Sequence, residues 1–110
     1  MQPPTVTQID GLTVVTLSKA FNAVSAPLVR RLFSALLHDG HRRIVLDLSN
    51  VDAIDSSGLG VLIELLKKIR VGEGELRLAG IPAHLQVIFE LTHLDQVFRI
   101  YANADDAVAA

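Results

Sequence analysis

The chain has no cysteine, which excludes a disulfide framework and any thiolate chemistry. It has no apolar run near the roughly 20 residues that a membrane-spanning helix needs. Met1-Gln2-Pro3-Pro4 shows no basic cluster leading into an apolar stretch, so no secretory leader is expected. No surplus of positive charge is present: ten basic against twelve acidic residues give a net charge of −2, which argues against general polyanion binding and direct nucleic-acid contact. Repeats, low-complexity tracts and linker-like stretches are absent too. What remains is a chain of 110 residues, half of them apolar and a fifth charged, enough for one continuous core. The expectation is one soluble, cytoplasmic domain over residues 1–110, without cofactor, metal or membrane insertion.

The hydrophobic pattern alternates strand-like and helix-like segments. Thr5 to Ile9 and Leu12 to Leu17 flank Asp10-Gly11, a strong hairpin signal because both turn positions tolerate positive φ. Ser25-Ala26-Pro27 reads as a capped helix start, followed by Leu28, Val29, Leu32, Phe33, Leu36 and Leu37 at helical spacing. Ile44 to Leu48 is nearly all apolar, as in a strand covered on both faces. Ser49 to Gly60 reads as a polar connection. Leu59, Leu62, Ile63, Leu65, Leu66 and Ile69 form a second helical stripe, with Lys67, Lys68 and Arg70 suiting the negative end of its dipole. Leu76 and Leu78 mark a short strand. Pro82 opens a third helix with Leu85, Ile88, Phe89 and Leu91 as its expected buried side; Val97 to Ile100 is the last strand, and Asp105 to Ala110 a short terminal helix or a fraying tail. The order is ββαβαβαβα, an α/β fold with a mixed sheet, an N-terminal hairpin and helices packed on it. Leu46, Leu48, Leu62, Leu66, Leu78 and Ile88 are the expected core.

Charge is uneven. Asp47, Asp52 and Asp55 place three acids within nine residues, beside Ser56-Ser57. A hydrolase reading of that serine pair is weak, because Asp55-Ser56-Ser57-Gly58-Leu59-Gly60 lacks the Gly-x-Ser-x-Gly elbow. A phosphate loop is equally weak, since no Lys follows the glycines. Neither His38 and His41 nor His84 and His93 have the spacing that puts two imidazoles on one helix face. The pair instead stands at a helix N-terminus, where unpaired N–H groups and the dipole favour an anion. Simple capping is one reading; a phosphate acceptor at Ser56 is another. Gly58 and Gly60 each cost about 1 kcal/mol of helix propensity relative to Ala. Close approach of a partner at this end, or of the chain's own sheet, would each account for them.

The run from Ile44 to Leu62, with Asp55-Ser56-Ser57-Gly58-Leu59-Gly60 at its centre, resembles the signature of STAS domains, the sulfate-transporter and anti-sigma-factor-antagonist family. The similarity is closest to stand-alone bacterial anti-sigma factor antagonists and continues through Leu76 to Gly80 and Leu94 to Phe98. The resemblance implies a non-enzymatic domain that binds an anti-sigma factor, usually a Ser/Thr protein kinase. It also implies a switch: the kinase phosphorylates the serine that Ser56 matches, with Asp55 as acidic neighbour and Ser57 as the second, non-acceptor serine. The implied partner surface comprises Asp55, Ser56, Ser57, Gly58, Leu59 and Gly60, together with Asn22. Lys19-Ala20-Phe21-Asn22 departs from the Gly, acid, Asp pattern frequent in relatives. The alternative within the family is an unphosphorylated scaffold or sensory module in a stressosome-like or transport-associated complex.

Overall fold

The computed structural model describes residues 3–110. Strand β1 (Thr5–Ile9) turns at Asp10 and Gly11, with φ of 51° and 81°, into β2 (Leu12–Phe21). Two successive left-handed residues are what a two-residue hairpin requires, and the Ile9–Leu12 pair closes it. Helix α1 (Ala26–His38), strand β3 (Arg43–Ile54), helix α2 (Ser56–Val71) and strand β4 (Glu75–Ala79) follow. Helix α3 (Ala83–Leu91), a 3₁₀ turn at Leu94–Gln96, strand β5 (Arg99–Tyr101) and helix α4 (Ala104–Ala109) complete the chain. The expected element order is the observed one.

The five strands lie side by side in chain order, β1 antiparallel to β2 and every later pair parallel. Strand alternation sends Val15, Leu17, Ile44, Leu46, Leu48, Leu76 and Leu78 to one face, where they pack with Val29 and Phe33 of α1, Leu62, Leu65 and Ile69 of α2, and Leu85 and Phe89 of α3. The intervening residues Leu12, Val14, Val45 and Ala79 point the other way and meet Ala107 of α4. Central strands covered on both faces have to be apolar at nearly every position, which is why Ile44 to Leu48 carries no clean alternation. No helix among the described residues is long and apolar enough to cross a membrane.

Five sequence expectations are corrected. Ser49 to Ile54 is not a loop but the second half of β3, because β2 is ten residues long and supplies a partner as far as Phe21–Ile54. The two register shifts on the way, with Lys19 at φ 64°, break the period and hid the strand. The last strand is Arg99–Tyr101, since Val97 and Phe98 leave the 3₁₀ turn instead. Leu91, expected in the core, is 77% exposed: it lies about 200° around α3 from Phe89. Ile88 is half-buried at the margin of the core, whereas Leu46, Leu48, Leu62, Leu66 and Leu78 are buried as expected. Ser25, expected as the cap of α1, makes no side-chain cap bond.

Candidate functional site

The start of α2 is built on the end of β2. Asp55, extended at φ −107° and ψ −174°, is the N-cap, and its Oδ1 accepts the Gly58 N–H at 3.0 Å. One otherwise orphaned first-turn donor is thereby satisfied. Asp55 also donates its own N–H to the Phe21 carbonyl at 3.3 Å, and its carbonyl accepts the Leu59 N–H at 3.0 Å. A β-carbon at Gly58 would lie 2.4 Å from the Phe21 oxygen. The strand end and the helix start therefore touch backbone to backbone, and only glycine allows it.

This contact separates the two glycines. Gly58 is buried against its own sheet and offers no surface, so its place in the expected partner surface is withdrawn. Gly60 is exposed, and a β-carbon there would meet nothing within 4 Å. Among the described residues, nothing asks for glycine at position 60.

Ser56 occupies the first helical position and is exposed; Ser57, one residue on, is half-buried. Leu59 is half-buried and packs against the core, leaving Asp55, Ser56 and Gly60 as the outward part of the segment. Of the three clustered acids, Asp52 and Asp55 are exposed near this end. Asp47 is engaged elsewhere: its Oδ1 accepts the Ser49 N–H at 3.0 Å, close to Gly80.

Phe21 links this segment to the β2–α1 turn. Asn22 folds its Oδ1 back to accept the N–H groups of Val24 and Ser25, at 3.0 and 3.2 Å. Ser25, only 4% exposed, donates its hydroxyl to the Ala20 carbonyl and accepts the Asn22 N–H, each at 3.0 Å. Asn22 is thus next to the site, but its side-chain oxygen is directed into its own turn. Beyond it lies a shallow cavity of about 420 Å³ lined by Lys19, Ala20, Asn22, Val24, Ser25 and Leu28. Val24, 87% exposed at its rim, went unnoticed in the sequence because a lone valine in a turn breaks no periodic pattern.

The histidines are dispersed. His84 at the start of α3 makes a 2.8 Å hydrogen bond through Nε2 to the Asp52 carbonyl, and His41 one of 2.7 Å through Nδ1 to the Thr13 hydroxyl. On the helix-lined flank, Arg30 of α1 forms a two-pronged contact with Glu64 of α2, at 3.0 and 3.3 Å. The Arg30 guanidinium holds the Glu64 carboxyl below the usual glutamate range. The pair is exposed at both ends, so it adds little to stability.

Comparison with known proteins agrees with this architecture. The candidate anti-sigma factor antagonist BtrV of Bordetella bronchiseptica is 34% identical over 106 residues, covering 96% of this chain and 90% of its own. The anti-sigma-B factor antagonist of Staphylococcus aureus is 28% identical over 91 residues, covering 83% and 84%. The crystal structure of a candidate anti-sigma factor antagonist from Thermotoga maritima superposes with a TM-score of 0.91 at 28% identity, over 98% of this chain and 93% of that one. Residues 3–107 match the STAS domain, and the chain belongs to that family.

Proposed function

We propose that this domain is an anti-sigma factor antagonist: a non-enzymatic, cytoplasmic binding module that docks an anti-sigma factor of the Ser/Thr kinase type and is switched off when Ser56 is phosphorylated. The names of its relatives support the general role. The observation that carries the switch is the difference between the two serines. Ser56 is exposed at the first position of a 16-residue helix, while Ser57 is half-buried behind it.

The chemistry follows from the local geometry. With Asp55 already capping Gly58, the Ser56 and Ser57 N–H groups have no protein acceptor among the described residues. A phosphate on Ser56 is held there by those donors and by the helix dipole, so the modified domain stays folded. It adds roughly −2 charge beside Asp55. A partner docked over Asp55, Ser56 and Gly60 must desolvate or oppose that charge. A penalty of a few kcal/mol is enough to release it, because each ~1.4 kcal/mol is tenfold in affinity.

The test is to incubate the protein with the Ser/Thr kinases of its own genome and locate any added phosphate by mass spectrometry. One phosphate on Ser56, abolished in Ser56→Ala and retained in Ser57→Ala, is expected. Labelling of Ser57 overturns the assignment. No labelling by any kinase that binds the domain favours the unphosphorylated scaffold.

A further inference from the structure

The two edges of the sheet are unlike. The β5 edge is three residues long and begins with Arg99, which is ion-paired to Glu75. The β1 edge is five residues, Thr5-Val6-Thr7-Gln8-Ile9, with every residue exposed. It contains no charge and no proline, and its five consecutive pairs with β2 have no bulge. Charge, proline, bulges and brevity are the devices that keep an edge from pairing with another chain. None of them lies within β1. Val6 and Ile9 remain 43% and 40% exposed.

We propose that β1 is a self-association edge, pairing antiparallel with β1 of a second copy about Thr7. The register follows from the hairpin. Ile9 and Leu12 close a two-residue turn as a hydrogen-bonded pair, and such pairs alternate along an antiparallel ladder. Thr5 and Thr7 therefore also direct their backbone groups to β2, and Val6 and Gln8 direct theirs outward. Pairing about Thr7 sets Val6 opposite Gln8 of the other copy and Gln8 opposite its Val6. The two outward-facing residues on each strand thus meet each other, and all their N–H and C=O groups are satisfied. Thr7 faces Thr7 in a close non-hydrogen-bonded pair, and Ile9 faces Thr5. A two-fold axis makes any charged residue at its centre face its own like charge, and this strand has none. The absence of charge leaves nothing to oppose a second copy across the two-fold axis, and the register about Thr7 uses only the strand's own five residues, so a second copy is the occupant proposed.

The pairing extends the sheet from five strands to ten and buries a small area, so the dimer is concentration-dependent. β1 borders only Leu12 to Thr16 of β2, and Phe21 lies about 16 Å further along the strand. The α2 start stays open in both copies.

Sedimentation velocity from micromolar to millimolar concentration tests this on the full chain. The wild type is expected to shift from monomer to dimer. Thr7→Lys and Thr7→Glu, each placing like charges face to face, are expected to remain monomeric alone and to recover dimer when mixed. Gln8→Pro removes an outward N–H that β2 does not use, and is expected to be monomeric with an unchanged circular dichroism spectrum; it carries the test if the Thr7 variants melt early. A wild type that stays monomeric at millimolar concentration overturns the proposal. So does a dimer that persists in all the variants, or a mixture of the Thr7 variants that stays monomeric.

Discussion

Replacing each glycine at the start of α2 with alanine is expected to move stability in opposite directions. At Gly60 the new methyl enters open space on an exposed helical position. The variant gains helix propensity and loses unfolded-state freedom, a stabilisation of roughly 0.5–1 kcal/mol. At Gly58 the same gain is opposed by a β-carbon 2.4 Å from the Phe21 oxygen and 3.1 Å from the Phe21 carbonyl carbon. A carbonyl in a strand cannot swing aside as a flexible side chain would. The helix start must lift, weakening the Asp55 N–H to Phe21 bond and the cap on Gly58. Overpacking of this kind costs about 1–3 kcal/mol, and loss of a cap about 1 more. The net expectation for Gly58→Ala is a loss of roughly 1–3 kcal/mol. At about 4 °C per kcal/mol, the two variants should melt roughly 10 °C apart on either side of the wild type. Thermal unfolding followed by circular dichroism reads this directly. A Gly58→Ala protein as stable as the wild type, or two variants shifted the same way, would refute the backbone-contact argument.

Three further outcomes follow from named contacts. Ser56→Ala should bind the anti-sigma factor yet resist inactivation, while Ser56→Asp should bind at least tenfold more weakly and melt like the wild type; equal binding by Ser56→Asp, measured by calorimetry, sinks the charge mechanism. Arg77, with its side chain 6% exposed, donates from Nη1 to the carbonyls of Ala107 and Ala110, at 2.6 and 3.2 Å, and from Nε to Glu75 at 2.8 Å. Arg77→Met should cost roughly 2–4 kcal/mol and selectively raise hydrogen exchange in residues 104–109; uniform exchange would show that α4 does not depend on this clamp. The hydrogen bond from Arg77, aided by the charges of Arg77, Arg99 and Arg43, holds the Glu75 carboxyl below its ordinary value of 4.5. Because the folded value is the lower one, the stabilisation is complete above the ordinary value and is lost as pH falls through the folded value. Glu75→Gln should therefore flatten the acid limb of a stability-against-pH curve, and an unchanged limb would assign acid sensitivity to other carboxylates.

The periodicity of apolar residues by itself determined the element order and most of the core. Burial of one face leaves a strand or a helix a different period, which Leu62 and Leu66 of α2 and Leu76 and Leu78 of β4 carried plainly, while the unbroken apolar run Ile44 to Leu48 marked a strand covered on both faces. Asp10-Gly11 and the Asp55 to Gly60 run were legible for the same local reason, since turn geometry and capping depend on neighbours in the chain. The outer half of β3 was not legible: its partner, β2, lies some thirty residues earlier, and the register shifts near Lys19 erase the alternation. Only tertiary structure separated Gly58 from Gly60, because what decides a glycine's role is whatever stands at the distance of its missing β-carbon. The same holds for Ser56 and Ser57, identical in sequence terms and unequal in exposure. A helix start shows one side chain outward and turns the next toward the body on which it rests, and that body was built by residues near Phe21.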